Sequence, residues 1–218
     1  MCPLKKPIPR FSFLLIGIIL GITGSSIIFT ATGFSIFGEP PNAVTTSAQT
    51  DNSDLTALAF DVLGFIRDGD FKSIAELAHP DFGVVFSPGA TISLATSRRF
   101  TSEQIAQFSS DNTVYVWGVS SETGEPIELT PVEYFAQYVY SSDYFNASVI
   151  GINRIVRSGN ALENITDEFP GVRFVDFHIP GADRESPDDL DWSSLRLGFE
   201  EQGGRLWLSV IVHSTWTV

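Results

Sequence analysis

The sequence predicts an α+β domain, with N-terminal helices followed by a run of antiparallel strands, placed behind a single N-terminal membrane helix. Three observations carry this reading. Residues 11–38 contain no charged side chain. Residues 55–66 repeat apolar side chains at helical spacing. The C-terminal stretch alternates apolar and polar residues around Gly203-Gly204, as a β-hairpin does.

The uncharged run begins FSFLLIGIILGITGSSIIFTA, with Lys5, Lys6 and Arg10 ahead of it. About 20 helical residues span a hydrocarbon core of ~30 Å. The basic flank predicts a cytoplasmic N-terminus and export of everything downstream. The predicted organisation is a cytoplasmic tail (1–10), a transmembrane segment (11–37), a flexible tether (38–53, rich in Pro, Thr and Ser) and an extracytoplasmic domain (54–218). The segment exceeds the usual length of a signal h-region, which favours a retained signal-anchor. The alternative is cleavage after Gly33, with Ala31 at the −3 position, giving a secreted chain. Gly17 and Gly21 form one GxxxG pair, a helix-pairing face or simply glycines in a lone helix. Cys2 is the only cysteine, so no disulfide staples the exported part and thiol chemistry is excluded there. It precedes the apolar segment without a small-residue box, unlike a lipoprotein acceptor.

In the domain, Leu55, Leu58, Ala59, Val62, Leu63 and Ile66 form one helical stripe. Ser53 or Asp54 is the expected cap, and Gly69 the stop. A second short helix, capped by Asp70, buries Phe71, Ile74, Ala75 and Leu77, and ends at His79-Pro80. A strand follows over 83–88. Residues 101–108 suggest a helix with a Thr101/Gln104 capping box, and 113–119 a strand. Thr130-Pro131-Val132-Glu133 opens a further helix, with Pro131 at its first position. Later strands are expected at 149–156, 172–179, 194–201 and 205–217. A two-residue loop would pair Phe199 with Leu208, Leu197 with Val210 and Leu195 with Val212, all on one face. The opposite face would then bring Arg196 diagonally beside His213, with Glu200 and Trp207 along the same side.

Charge limits the partners. Residues 51–218 carry 10 Lys+Arg against 25 Asp+Glu, a net of −15. Such a surface repels phosphate backbones and anionic headgroups, so nucleic acid is not expected. Cations, neutral ligands and basic partners stay open, as does a surplus that serves only solubility.

The element order resembles the cystatin-like cone of nuclear transport factor 2, ketosteroid isomerase and scytalone dehydratase. There a curved antiparallel sheet wraps the N-terminal helices and leaves a pocket. The strings HPDFGVVFSP (79–88), LTPVEYFAQYVYSSDYFNA (129–147), IGIN (150–153) and DWSSLRLGFEEQGGRLWLSVIVHSTWT (191–217) resemble a family of uncharacterised bacterial exported proteins and lipoproteins. That resemblance implies an extracytoplasmic bacterial protein and brings no activity with it. The lipobox cysteine of the lipoprotein members is absent here.

His213 is the first candidate for chemistry, as a general base or ligand-orienting group, with Arg196 to bind an anionic atom. The plain alternative is a hydrogen-bonded histidine near a sheet end. His79 more simply ends its helix, Asp81 caps the local turn, and His178, ahead of a Pro-Gly turn, is expected at the surface. Tyr134, Tyr138, Tyr140, Tyr144 and Trp117 either line a ligand cavity, stacking on sugar rings, or fill the core. Asp188, Asp189 and Asp191 lack EF-hand spacing and read as a solvated loop. Asn146 and Asn164 stand in glycosylation sequons, expected to be unmodified in a bacterial chain. No metal-ligand spacing, GxSxG, P-loop or GxGxxG occurs, so no cofactor and no metal is expected.

The function expected is a membrane-tethered extracytoplasmic module binding a small molecule or a protein partner, through Arg196, Glu200, Trp207, His213, Tyr134 and Tyr138. The alternative is an isomerase- or dehydratase-like enzyme using acid–base chemistry near His213 and Arg196. Self-association is a further reading.

Overall fold

The computed structural model describes residues 46–182 and 190–216. The expected membrane segment lies outside them, as do Asp188 and Asp189. No helix among the described residues is long and apolar enough to cross a membrane.

The first helix, α1 (Thr46–Asp68), buries Leu55, Ala59, Val62, Leu63 and Ile66 of the stripe, with Leu58 partly buried beside them. It begins before the expected Ser53 or Asp54 cap, so the C-terminal end of the predicted tether is helical. Gly69, at φ 68°, ends it in the left-handed conformation that glycine adopts at least cost. In α2 (Phe71–Leu77) the Asp70 carboxylate accepts from the Ser73 N–H at 3.1 Å, as an N-cap should. The chain continues through β1 (Val84–Ser87), β2 (Arg98–Phe100) and α3 (Ser102–Ile105), then β3 (Tyr115–Val119), β4 (Pro126–Leu129) and α4 (Pro131–Tyr134). Both expected capping boxes, Thr101/Gln104 and Thr130/Glu133, are formed. After α4 the helix widens into a π turn (Phe135–Val139), closed by the Tyr140 N–H donating to the Phe135 carbonyl at 2.7 Å. The last elements are β5 (Val149–Ile152), α5 (Ile165–Glu168), β6 (Arg173–Ile179), β7 (Ser193–Gln202) and β8 (Arg205–Thr215).

Six strands form one sheet in the order β2-β1-β8-β7-β6-β5, and β3 pairs with β4 separately. The architecture is α+β. The expected all-antiparallel sheet is corrected at one seam, because β1 runs parallel to β8. Helix α1 and α2 cover the inner face with Val175, Phe177, Leu195, Leu197, Phe199 and Ile211. The outer face is also covered: Val85, Ile92, Ile165, Phe169, Val172, Phe174, Val210 and Val212 form a second cluster there. Burial on both faces explains why β8 reads Val210-Ile211-Val212 with no polar alternation.

The β7–β8 hairpin turns at Gly203 and Gly204, both at positive φ (66° and 76°), in the expected two-residue loop. Phe199 pairs with Leu208 as expected. The register then shifts by one between Phe199 and Gly198, leaving Ser209 as the extra residue on β8. Gly198 therefore pairs with Val210, Leu197 with Ile211 and Leu195 with His213. A Cβ on Gly198 would stand 2.5 Å from Val210 Cγ1, so the bulge fits only glycine here without rearrangement. The expected pairs Leu197–Val210 and Leu195–Val212 do not form, and every residue of β8 beyond Ser209 changes face.

Candidate functional site

The bulge decides which side chains meet. It turns Ile211, His213 and Thr215 inward and Val210, Val212 and Ser214 outward. His213 and Arg196 thus lie on opposite faces of the sheet, against the expectation of a shared pocket.

His213, 9% exposed, stands at the end of the inner face. Its Nε2 is 3.4 Å from Ser141 Oγ, and its ring meets Tyr138 edge-on at 5.8 Å and 90°. Burial favours the uncharged imidazole and lowers its pKa from 6.5 to about 4, against a smaller opposing effect of a hydrogen bond to the Pro88 backbone. The ring is neutral at neutral pH. Behind it runs an aromatic ladder. Tyr138 stacks on Tyr134 at 5.2 Å and 15°, and Tyr134 on Trp117 at 3.7 Å and 6°. The π turn sets Tyr134 and Tyr138 above one another. Trp117 is fixed by its indole N–H, which donates to the Leu129 carbonyl at 2.8 Å. Burial, then the neighbouring Tyr138, holds the Tyr134 hydroxyl well above its usual pKa. Tyr138 is raised by burial and, less, by the Glu122 carboxylate.

His213, Tyr138 and Trp117 border an open cavity of about 510 Å³, between the loop after β1, the end of β3 and Ala161. That volume falls within the ~300–1,000 Å³ range of small-molecule sites. The rim is built from two pinned loops. Asn164 accepts from the Ile92 N–H and donates to the Ile92 carbonyl, each at 2.8 Å, and Thr91 Oγ1 donates to the Leu162 carbonyl at 2.9 Å. Asn164 is 7% exposed, so the acceptor amide of its sequon lies buried in the folded domain. A second cleft, about 440 Å³, lies beside β2 and is bordered by Arg98, Arg99, Phe82 and Tyr115.

Arg196 serves elsewhere. Its side chain is fully buried on the outer face, where it forms a two-pronged pair with Glu163 through both terminal nitrogens. Its Nε forms an ion pair with Asp176 Oδ2 at 3.2 Å, and that oxygen accepts from the Val156 N–H at 2.8 Å. The guanidinium holds down the segment that follows β5 and presents nothing to the cavity. Glu200 and Trp207 pair across the hairpin near its turn, where the Trp207 indole donates to the Gln202 carbonyl at 3.1 Å and Arg205 covers the ring at 4.1 Å. Six residues of strand, roughly 20 Å, separate Trp207 from His213. Tyr134 contributes from within the core, and Tyr138 at the cavity edge.

The remaining candidates resolve simply. His79 Nδ1 accepts from the Phe82 N–H at 3.1 Å, ordering the turn into β1. Asp81 accepts from Gln202 Nε2 at 2.6 Å rather than capping that turn. His178, expected exposed, is 4% exposed, with Nδ1 at 2.9 Å from Ser194 Oγ and its ring near Trp192. It lies on the covered outer face of an interior strand. Tyr144 is buried, and Tyr140 donates to Asp143 at 2.9 Å. Asp191 accepts from the Ala182 N–H. Sequence reasoning missed Glu163, Asp176 and the Ser/Thr rim. Asp176 carried a readable signal, a lone carboxylate within the apolar strand RFVDFHI; Glu163 and the rim carried none.

Compared with protein-family models, curated proteins and solved structures, the chain matches none of them.

Proposed function

We propose that this chain is a membrane-tethered, extracytoplasmic binding module whose small-molecule site is the cavity at His213. The observation that carries the reading is the convergence of a neutral histidine, the Tyr138 ring and a pinned hydroxyl-bearing rim on one open cavity. The uncharged run at 11–38 and its basic flank support the tether. Helices on one face of a six-stranded sheet, with the cavity at the sheet end, support a cone of the cystatin-like kind. Fold likeness alone does not give function, so the site carries the argument. The acid–base enzyme reading keeps His213 as a base but has no Arg196 beside it, since two carboxylates hold that guanidinium on the other face.

The test uses the full chain in detergent micelles. A ligand present at about 100 times its Kd stabilises a folded protein by about 2.7 kcal/mol, or roughly 5–11 °C for a domain of this size. A screen of small molecules is expected to yield at least one such shift, lost in Tyr138→Ala. Shifts that survive Tyr138→Ala unchanged would place binding elsewhere. The untreated chain should stay in the membrane fraction, and protease added outside intact spheroplasts should cleave residues 51–218; a protected or fully soluble chain would contradict the tether.

A further inference from the structure

We propose that the cavity at His213 takes an uncharged saccharide ring; the inference rests on the binding-module reading above. The first argument is charge. In a domain with net charge −15 over residues 51–218, a cationic ligand would be the simple expectation, yet the cavity is bordered by no Lys, Arg or Asp and by a single Glu, Glu122 at its exposed mouth. His213 is neutral at neutral pH. An anionic ligand finds no countercharge there, and a cation finds one exposed carboxylate.

The second argument is hydrogen-bonding capacity. Some rim hydroxyls are committed to holding the loops: Ser87 Oγ donates to the Gly89 carbonyl at 2.7 Å, Ser120 Oγ accepts from the Glu122 and Thr123 N–H groups, and Thr91 Oγ1 is bonded to Leu162. Others are not. Ser93, Thr96, Ser121, Thr215 and Tyr138 border the same cavity, and their side-chain hydroxyls have no partner among the described residues. Each hydroxyl both donates and accepts, which matches the sugar hydroxyl, itself donor and acceptor. An aliphatic ligand would leave the half-buried hydroxyls of Ser93, Thr215 and Tyr138 dry and unpaired, a costly arrangement, while Thr96 and Ser121 are exposed to water.

The third argument is shape. Tyr138 stacks on Tyr134 and stands perpendicular to the His213 ring, so a half-buried aromatic ring sits among the free hydroxyls. Sugar rings carry an apolar C–H face that stacks on such rings while their edges bond to polar groups. The volume accommodates a small sugar, and the open mouth admits either a free sugar or one unit of an envelope glycan.

The experiment measures binding of the full chain in micelles to glucose, cellobiose, N-acetylglucosamine and chitobiose, with glucose 6-phosphate and glucuronate as charged counterparts, by titration calorimetry. A parallel arm measures retention on insoluble cellulose and chitin, separating free sugar from polymer as the source. The expected result is a neutral sugar bound at least tenfold more tightly than its charged counterpart. Tyr138→Phe and Thr96→Ala, which keep the fold, should each weaken it by about threefold to tenfold, the loss of one neutral hydrogen bond. Equal or tighter binding of the charged sugars overturns the proposal. So does an absence of sugar binding while an amine or an apolar dye binds in a Tyr138-dependent manner, a result that leaves the binding-module reading intact. If none of these compounds binds in a Tyr138-dependent way, the saccharide proposal falls, and the screen above decides the binding-module reading.

Discussion

Replacing Arg196 by Met separates the role the sequence suggested from the one the structure assigns. Arg196 lies on the outer face with its side chain fully buried, against Glu163 (side chain 11% exposed) and Asp176 (fully buried). Methionine conserves much of the stem volume and deletes the charge. Asp176 is then a buried carboxylate whose remaining charged-form partner is the Val156 N–H. Removing one member of a buried pair costs about 3–5 kcal/mol, mostly through the uncompensated charge left behind. That is a large share of the ~5–15 kcal/mol that holds a domain folded. For a domain of this size it lowers Tm by roughly 6–20 °C. Thermal unfolding of the full chain, followed by circular dichroism, measures it. Arg196→Met combined with Asp176→Asn and Glu163→Gln should recover part of the loss, since no charge remains unpaired. Ligand binding at the cavity, measured below the lowered Tm, should be unchanged. A variant that melts like the wild type but loses ligand would refute the reasoning and restore Arg196 to a binding site.

Three further outcomes follow from the geometry. Because His213 is held neutral, with a pKa near 4 against 6.5 when unfolded, the unfolded chain binds its proton first as pH falls; stability relative to a His213→Asn variant should be constant above pH 6.5 and decline by about 3 kcal/mol between pH 6.5 and 4, and denaturant curves that stay parallel for the two proteins across that window would contradict it. Gly198→Ala forces a methyl to within 2.5 Å of Val210 Cγ1 and should cost about 1–3 kcal/mol by overpacking, read as a lower urea midpoint at unchanged slope. Asn164→Ala removes both bonds to the Ile92 backbone and should cost about 1–3 kcal/mol, with faster amide exchange at Ile92; unaltered exchange there would show that the rim loops are held by other contacts.

Local structure was legible wherever a local cause sets it. The Leu55–Ile66 stripe, the Asp70 cap, the boxes at Thr101 and Thr130 and the Gly203-Gly204 turn depend on side chains a few residues apart, and each is found in place. The register of β8 was not legible beyond Leu208. Ser209 looks like an outward polar residue in simple alternation, and Val210-Ile211-Val212 is apolar on both faces, so nothing in the string marks the one-residue slip. Moving that register moved His213 away from Arg196, and the paired site dissolved with it. Arg196 looks like a ligand group in the sequence because its partners lie 20 and 33 residues back, in segments whose return to the sheet no local pattern announces. The short strands β2 and β4 carry no readable signal either, since Arg98–Phe100 and Pro126–Leu129 have too few residues to show a period. His213 and Tyr138 stand out in the sequence by residue type, and the structure brings them together.

The most direct test uses the three histidines as reporters. His213 borders the cavity, His178 lies on the opposite covered face and His79 orders the turn before β1. In the full chain carrying isotope-labelled histidine rings, small molecules that stabilise the protein should shift the His213 ring resonances and leave those of His178 and His79 in place. Stabilising compounds that leave His213 unmoved, or that move His178 instead, would contradict a binding site in this cavity.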